Sequence, residues 1–384
     1  MPPAKAMAGV IQPADDAEVA APPSAPAATR PAAAGQPARA FELPVFDAED
    51  LSDLRAMNAR LDRFPRFRVR GQWEADLIQA LLRGSQLLSS LRYPRGRIVA
   101  ENRMVRWRDR SARVRIIRPS GACQGLYLDI HGGAWAVGNA EMDDPVNAAI
   151  ARDCGLATVS IDYRLAGRHP LEEVFRDCET AAGWALDEGL AELAPTPAQG
   201  ETVRGATEPT VFIGGESAGA HLAVTTLLRL RDAGQDLTPV RGAVLFYGAF
   251  DLGGSAGLLA APPGTLVLHH RAAEALHQLL PGLSVEERRA ARYSPLFAPL
   301  HGLPPALFLV GEADPLREES VEMCRRWRDA GNPAALLRVP EAPHAFNRFP
   351  SRVAYKANAA VRAWINAGAA VPGRDQPGGD QAGA

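Results

Sequence analysis

Lysine is nearly missing from this 384-residue chain: Lys5 and Lys356 stand alone among 42 basic residues, and the rest are arginines. Formal charge is -2, so no global field recruits nucleic acid or an anionic membrane. Neither is expected as a partner. The cluster Arg60, Arg63, Arg66, Arg68 and Arg70 has no glycine-rich or aromatic pattern of a phosphate site and reads as a solvated face. Cysteine is scarce too. Cys123, Cys154, Cys178 and Cys324 form no C-x-x-C pair and have no histidine at metal spacing, which argues against structural zinc and favours buried thiols. No metal and no cofactor are expected. A basic start followed by an apolar run of about seven to fifteen residues, as secretion requires, is absent, because Gln12 and Pro13 interrupt the stretch from Met7. No stretch reaches the roughly eighteen apolar residues of a membrane span. A cytoplasmic protein is the default expectation, with homo-oligomerisation left open.

What is present is the composition of a soluble globular chain, 47% apolar and 22% charged. Residues 1–40 are rich in Ala and Pro and poor in large apolar side chains, and 371–384 in Gly and Pro; both are expected to be disordered tails. Residues 41–370 are expected to form one domain. In it, short β-branched runs alternate with helical patterns, the signature of a mostly parallel sheet covered by helices. The runs are 105–108, 114–117, 126–130, 157–161, 210–213, 243–247, 306–310 and 335–339. Helices are expected at about 142–153, 171–189, 218–232, 315–330 and 352–366. Two segments break the alternation, about 41–95 and 252–292. They are read together as a small helical cap, since insertions at strand ends commonly cover a site.

Residues suited to nucleophilic chemistry fall just after the strands. Gly214-Gly215-Glu216-Ser217-Ala218-Gly219 follows a strand and opens a helix. A serine on a sharp strand-to-helix turn needs glycines around it, and the new helix directs N–H groups toward a forming anion. The pattern G-x-S-x-G is weak alone: Gly253-Gly254-Ser255-Ala256-Gly257 matches it as well. The latter lies less directly after a strand and is soon followed by Pro262 and Pro263, so Ser217 is preferred. His131-Gly132-Gly133-Ala134-Trp135 follows the run 126–130, where small residues let backbone donors approach an oxyanion. Gly132, Gly133, Ala134 and Ala218 are the expected oxyanion-hole residues. A general base and its carboxylate partner are expected after late strands. Asp314 and His344 hold those positions, although Asp314 before Pro315 also reads as a helix cap. His269, His270 and His277 fall in the presumed cap, His301 on the surface and His221 on the helix behind the serine.

Together these motifs resemble the hormone-sensitive-lipase-like family of bacterial esterases. The likeness rests on the H-G-G-A-W loop, Asp162-Tyr163-Arg164-Leu165-Ala166 with His169-Pro170, the G-E-S-A-G elbow, Ser294-Pro295, D-P-L at Asp314 and H-A-F at His344, over about 100–350. The resemblance implies an α/β-hydrolase fold with an eight-stranded sheet and a cap. It also implies cofactor-free serine-dependent cleavage of short- to medium-chain carboxylic esters through an acyl-enzyme. Three departures stand out: Ala134 replaces the family's usual third glycine, Glu216 the commoner Asp, and Gly167-Arg168 the usual Pro-Glu. If Asp162 and Arg164 form an internal pair bracing the oxyanion loop, their role is structural support and not substrate binding. An amidase of the arylformamidase kind would use the same triad. A non-catalytic small-molecule receptor would lack the histidine that this chain retains as His344.

Overall fold

The computed structural model describes residues 41–64, 71–92, 99–195 and 209–370. The two expected tails, 1–40 and 371–384, lie outside these residues, as do positions 65–70 and 93–95 of the first presumed cap segment, and with them Arg66, Arg68 and Arg70 of the arginine cluster. Eight strands form one sheet: β1 Glu101–Trp107, β2 Arg110–Ile117, β3 Gly125–Ile130, β4 Leu156–Ile161, β5 Thr210–Glu216, β6 Val240–Phe246, β7 Ala306–Gly311 and β8 Ala334–Val339. Their spatial order is β1-β2-β4-β3-β5-β6-β7-β8. β2 runs antiparallel to both β1 and β4; every other pairing is parallel.

The central strands are buried throughout because the sheet is covered on both faces. Alternate side chains go to opposite cores. Leu126, Leu128 and Ile130 of β3 join Val211, Ile213, Leu245 and Phe308 in one cluster. Tyr127, Phe212, Val244, Phe246 and Leu307 join the other.

The helices are α1 Ala48–Leu61, α2 Gln72–Arg92, α3 Asp144–Cys154, α4 Leu171–Trp184, α5 Leu190–Leu193, α6 Ala218–Asp232, α7 Ala256–Ala260, α8 Ala272–Leu279, α9 Val285–Arg288, α10 Arg317–Asp329 and α11 Arg352–Asn366. Phe175 of α4, Leu227 of α6 and Trp327 of α10 fill the first core. Ile150 of α3 and Trp364 of α11 fill the second.

The segment read as one cap element divides in two. α1 belongs to the second core, where Leu54 and Met57 are buried against the α11 side of the sheet. Its end is fastened by Asp50, which accepts from Arg352 and Lys356, and by an Arg55–Glu341 ion pair. α2 instead lies beside the loop after β3. Gln79 bonds both the N–H and the carbonyl of Gly138, and Gln86 pairs with the Asn139 side chain. The second segment, 252–292, carries α7, α8 and α9. It is clasped at its ends by the Asp251–Arg289 pair and by Ser294 Oγ, which accepts from Leu252 N and donates to the Arg288 carbonyl. No helix of the described residues is long and apolar enough to cross a membrane.

Candidate active site

β5 ends at Glu216 and α6 begins at Ala218, so Ser217 alone makes the turn. Its φ of 55° and ψ of -115° lie where a side chain is strained. The neighbouring glycines explain how the chain reaches that turn. A Cβ on Gly219 would stand 1.9 Å from the Ile130 carbonyl oxygen, and one on Gly215 would stand 2.4 Å from the Gly219 backbone. The first turn of α6 therefore rests directly on the end of β3. Ala218 holds the first helical position, whose N–H has no acceptor within the helix.

The other two chemical groups arrive from the ends of β7 and β8. His344 Nε2 lies 3.0 Å from Ser217 Oγ, and its Nδ1 lies 2.8 Å from Asp314 Oδ2. Acceptor-only Asp314 fixes the proton on Nδ1 and leaves Nε2 free to accept from the serine hydroxyl. Both partners are buried, Asp314 completely at its side chain. Asp314 Oδ1 accepts from Leu316 N at 2.8 Å, so one oxygen shapes the entry to α10 while the other faces the imidazole. Asp314 is not the helix cap that its place before Pro315 suggested: the cap position is Leu316, and Asp314 closes a two-residue turn ahead of it.

The loop from His131 to Trp135 lies against the serine. A Cβ on Gly132 would meet the Glu216 carbonyl oxygen at 2.9 Å and Ser217 Cβ at 3.7 Å. Gly133, Ala134 and Trp135 have φ of 119°, 51° and 60° in succession. Ala134 adopts the left-handed region that glycine reaches without strain, which accounts for glycine being usual there. The His131 side chain turns inward: it stacks on Tyr163 at 4.1 Å, and burial lowers its pKa so that the neutral ring faces the Gly132 carbonyl at 2.8 Å. Tyr163 OH donates to the His131 carbonyl at 2.9 Å and steadies the same turn.

Asp162 and Arg164 do not pair with each other. Arg164 binds Asp177 and Glu173 on α4, while Asp162 accepts from Ala140 N at 3.4 Å. Several residues that brace the site gave no motif in the sequence. Tyr247, in the left-handed region at φ 37°, meets His344 edge-on at 4.7 Å and donates to Asn347 Oδ1 at 2.5 Å. Asn347 donates to Glu216 Oε1 at 2.8 Å, and Arg348 bridges Glu216 to Asp143. Glu216 thus ties the serine turn to the loop carrying His344. An acid preceding the nucleophile was the only trace of this network in the sequence.

Two cavities flank the loop after β3. One, of about 780 Å³, opens between α2 and the edge strands and borders Asn102, Arg113, Gly138 and Tyr163. It does not border Ser217. The smaller, of about 210 Å³, borders Ala134 together with Gln72, Gly167 and Leu279, and likewise does not border Ser217, Asp314 or His344. No group of three or more His, Cys, Asp or Glu side chains suited to a metal ion occurs among the described residues.

The sheet order, the strand-end placement of these groups and the turn at Ser217 define an α/β hydrolase. The chain belongs to a family of the alpha/beta hydrolase fold, whose profile matches residues 127–348. It is similar to the carboxylic ester hydrolase LipN of Mycobacterium tuberculosis, 30% identical over 234 residues that make up 60% of this chain and 59% of that one. The chain thus spans less than two thirds of that relative's length. The arylesterase of Saccharolobus solfataricus is 30% identical over 231 residues, 58% of this chain and 68% of its own. Among solved structures, the esterase of Pyrobaculum calidifontis superposes with a TM-score of 0.69 at 25% identity, over 82% of this chain and 99% of that one.

Proposed function

We propose that this protein is a serine carboxylic ester hydrolase acting through an acyl-enzyme. Ser217 is its nucleophile, His344 its general base and acid, and Asp314 the group that orients the base. The observation that carries the reading is the unbroken line Ser217 Oγ–His344–Asp314, at 3.0 and 2.8 Å, built on a serine held in a strained turn. Ser217 Oγ attacks the ester carbonyl as His344 Nε2 takes its proton. The tetrahedral oxyanion is met by backbone N–H groups of the Gly132–Gly133–Ala134 stretch and of Ala218. His344 returns the proton to the departing alcohol, and a water then repeats the sequence and frees the acid.

α2 and the segment 252–292 cover this site, with α2 fixed to Gly138 and Asn139 and Leu279 facing Ala134 across the smaller cavity. Esters with short to medium acyl chains are the substrates this reading assigns. All four cysteines are free thiols, in keeping with a reducing, cytoplasmic setting. The experiment is labelling by a fluorophosphonate with the modified peptide mapped by mass spectrometry, followed by kinetics on p-nitrophenyl esters from acetate to palmitate. N-formylkynurenine is run in parallel. Label on Ser217 and faster turnover of the short esters than of the palmitate or the formamide are expected. Absence of label on Ser217, or formamide as the better substrate, would overturn the reading.

A further inference from the structure

One buried histidine has no part in the chemistry just described, yet it touches three elements that must agree in position. His221 lies one turn into α6 from Ser217 and is fully buried. Trp135 Nε1–H donates to its Nδ1 at 3.2 Å, and its Nε2 faces the Tyr293 carbonyl oxygen at 2.7 Å. The indole nitrogen is donor only and the carbonyl acceptor only, so the partners dictate a single protonation pattern: Nδ1 bare, Nε2–H donating. Burial pushes the ring down to about 4, which keeps it neutral in that pattern.

Trp135 ends the run of three positive φ values in the loop after β3, and a non-glycine residue does not hold φ 60° without outside support. That support consists of two bonds, from Ala166 N to the Trp135 carbonyl at 2.8 Å and from the indole to His221. The loop residue before Trp135 is Ala134, which lacks glycine's freedom at φ 51° and so depends on the same fastening. Tyr293 closes the far end of the 252–292 segment, next to Ser294 that clasps it.

We propose that His221 is a positioning residue for the oxyanion hole: one neutral imidazole, accepting from Trp135 and donating to Tyr293, fixes the Gly133–Ala134 donors relative to Ser217. The proposal rests on the hydrolase reading above. A displacement of these donors weakens the transition state and leaves ground-state binding alone, so the effect falls on kcat and not on KM.

The variants are His221→Leu, Trp135→Phe, which keeps an aromatic ring but loses the N–H donor together with part of the indole's bulk, and His221→Gln, whose amide restores one acceptor and one donor. Expected for His221→Leu and Trp135→Phe is a loss in kcat of roughly ten- to a hundredfold, below the 10²–10³ of deleting an oxyanion donor outright. KM should stay within about threefold. Affinity for a trifluoromethyl ketone should weaken by the same factor as kcat/KM, as a transition-state mimic requires. The double variant should lose no more than the worse single one, because both break one bond, and His221→Gln should recover most of the rate.

Nitrogen-15 NMR of histidine-labelled protein reads the pattern without turnover: His221 should carry its proton on Nε2, and Trp135→Phe should move the Nδ1 resonance. A proton on Nδ1, a Trp135→Phe variant within twofold of the parent in kcat and ketone affinity, independent losses that multiply, or a glutamine no better than leucine would each overturn the proposal. Failure of fluorophosphonate to label Ser217 in the parent would instead overturn the hydrolase reading, and the NMR result would still judge the hydrogen-bond pattern.

Discussion

Two serines in this chain sit in the same five-residue pattern, and their surroundings have nothing in common. Ser217 closes a seven-residue strand, takes φ 55° and opens a fifteen-residue helix. Ser255 has an ordinary extended backbone at φ -68° and caps a helix of five residues, with its hydroxyl accepting from Leu258 N at 3.4 Å. Beside Ser217 stands an imidazole with a buried carboxylate behind it. Beside Ser255 stands Glu319, a fully buried carboxyl that also accepts from Asp251 N. Two glycines and a serine are therefore a permission and not a mechanism. What sets Ser217 apart is the strand that delivers it, the strain it is held in and the imidazole it faces, and on these the proposed role as nucleophile rests.

Removing the Ser217 hydroxyl makes the sharpest cut between the two. Ser217→Ala should lower kcat on p-nitrophenyl butyrate by about 10⁵–10⁶-fold and abolish fluorophosphonate labelling, with unfolding close to the parent. A variant that kept even a tenth of the rate would erase the distinction. Asp314→Asn comes next. An amide N–H aimed at His344 favours the wrong tautomer, so kcat should fall by about 10³–10⁴-fold, while Oδ1 still accepts from Leu316 N and preserves the start of α10. A loss of stability with kcat retained would leave Asp314 with only its turn-forming role.

The parts of this arrangement visible in the sequence are those that local chemistry demands. Strands buried on both faces must be short apolar runs, and all eight expected runs overlap observed strands, with Arg108 and Tyr247 just past the ends of β1 and β6; most flanking turns are marked by Gly or Pro, the β1–β2 turn at Arg108-Asp109 excepted. Ser217, Asp314 and His344 could be placed because each follows such a run within a few residues. The partner of Arg164 was not legible for a complementary reason. Asp162 is two residues away in sequence, but Asp177 and Glu173 lie on α4 across from it, and an ion pair is chosen by packing. The same applies to α1. Its apolar spacing resembles that of α2, and only the tertiary structure directs Leu54 and Met57 into the second core. The Tyr247–Asn347–Glu216 chain joins three strand ends separated by up to 131 positions, so no window along the sequence contains it.

The acid beside Ser255 offers a test of a different kind. Burial raises the Glu319 pKa from 4.5 to about 8, with the neighbouring Asp251 acting in the same direction. A carboxyl whose folded pKa is raised holds its proton more tightly in the native state than in the unfolded one. The contribution of Glu319 to stability is then most favourable below about pH 4.5 and is lost as pH rises toward 8, where the buried group must ionise. A tenfold difference in proton affinity between the two states is worth about 1.4 kcal/mol, which places an upper limit of a few kcal/mol on the effect. Glu319→Gln keeps an acceptor for Asp251 N and removes the titration. Its Tm relative to the parent should therefore climb between pH 5 and pH 8.5. A Tm difference independent of pH would mean that Glu319 is already ionised in the fold.

The smallest effect belongs to Ser255 itself. Its hydroxyl supplies one helix cap, and the 3.4 Å distance to Leu258 N is long for such a bond. Replacing a capping serine by alanine costs typically about 1 kcal/mol, and a long bond on a five-residue helix belongs at the lower end of the range. Ser255 also hydrogen-bonds Glu319 and holds its pKa down, so the variant should push that pKa slightly higher without reaching Ser217. Ser255→Ala should therefore unfold within about 2 °C of the parent, keep kcat on p-nitrophenyl butyrate within twofold and react with fluorophosphonate at the parental rate. The most sensitive readout is the ratio of kcat/KM for acetate and octanoate esters, because α7 belongs to the segment proposed to cover the site. A changed ratio with unchanged labelling would make Ser255 a distant support of substrate choice. A collapse of labelling would mean that the second pattern contributes to the nucleophile's environment after all, and that position at a strand end does not separate the two serines.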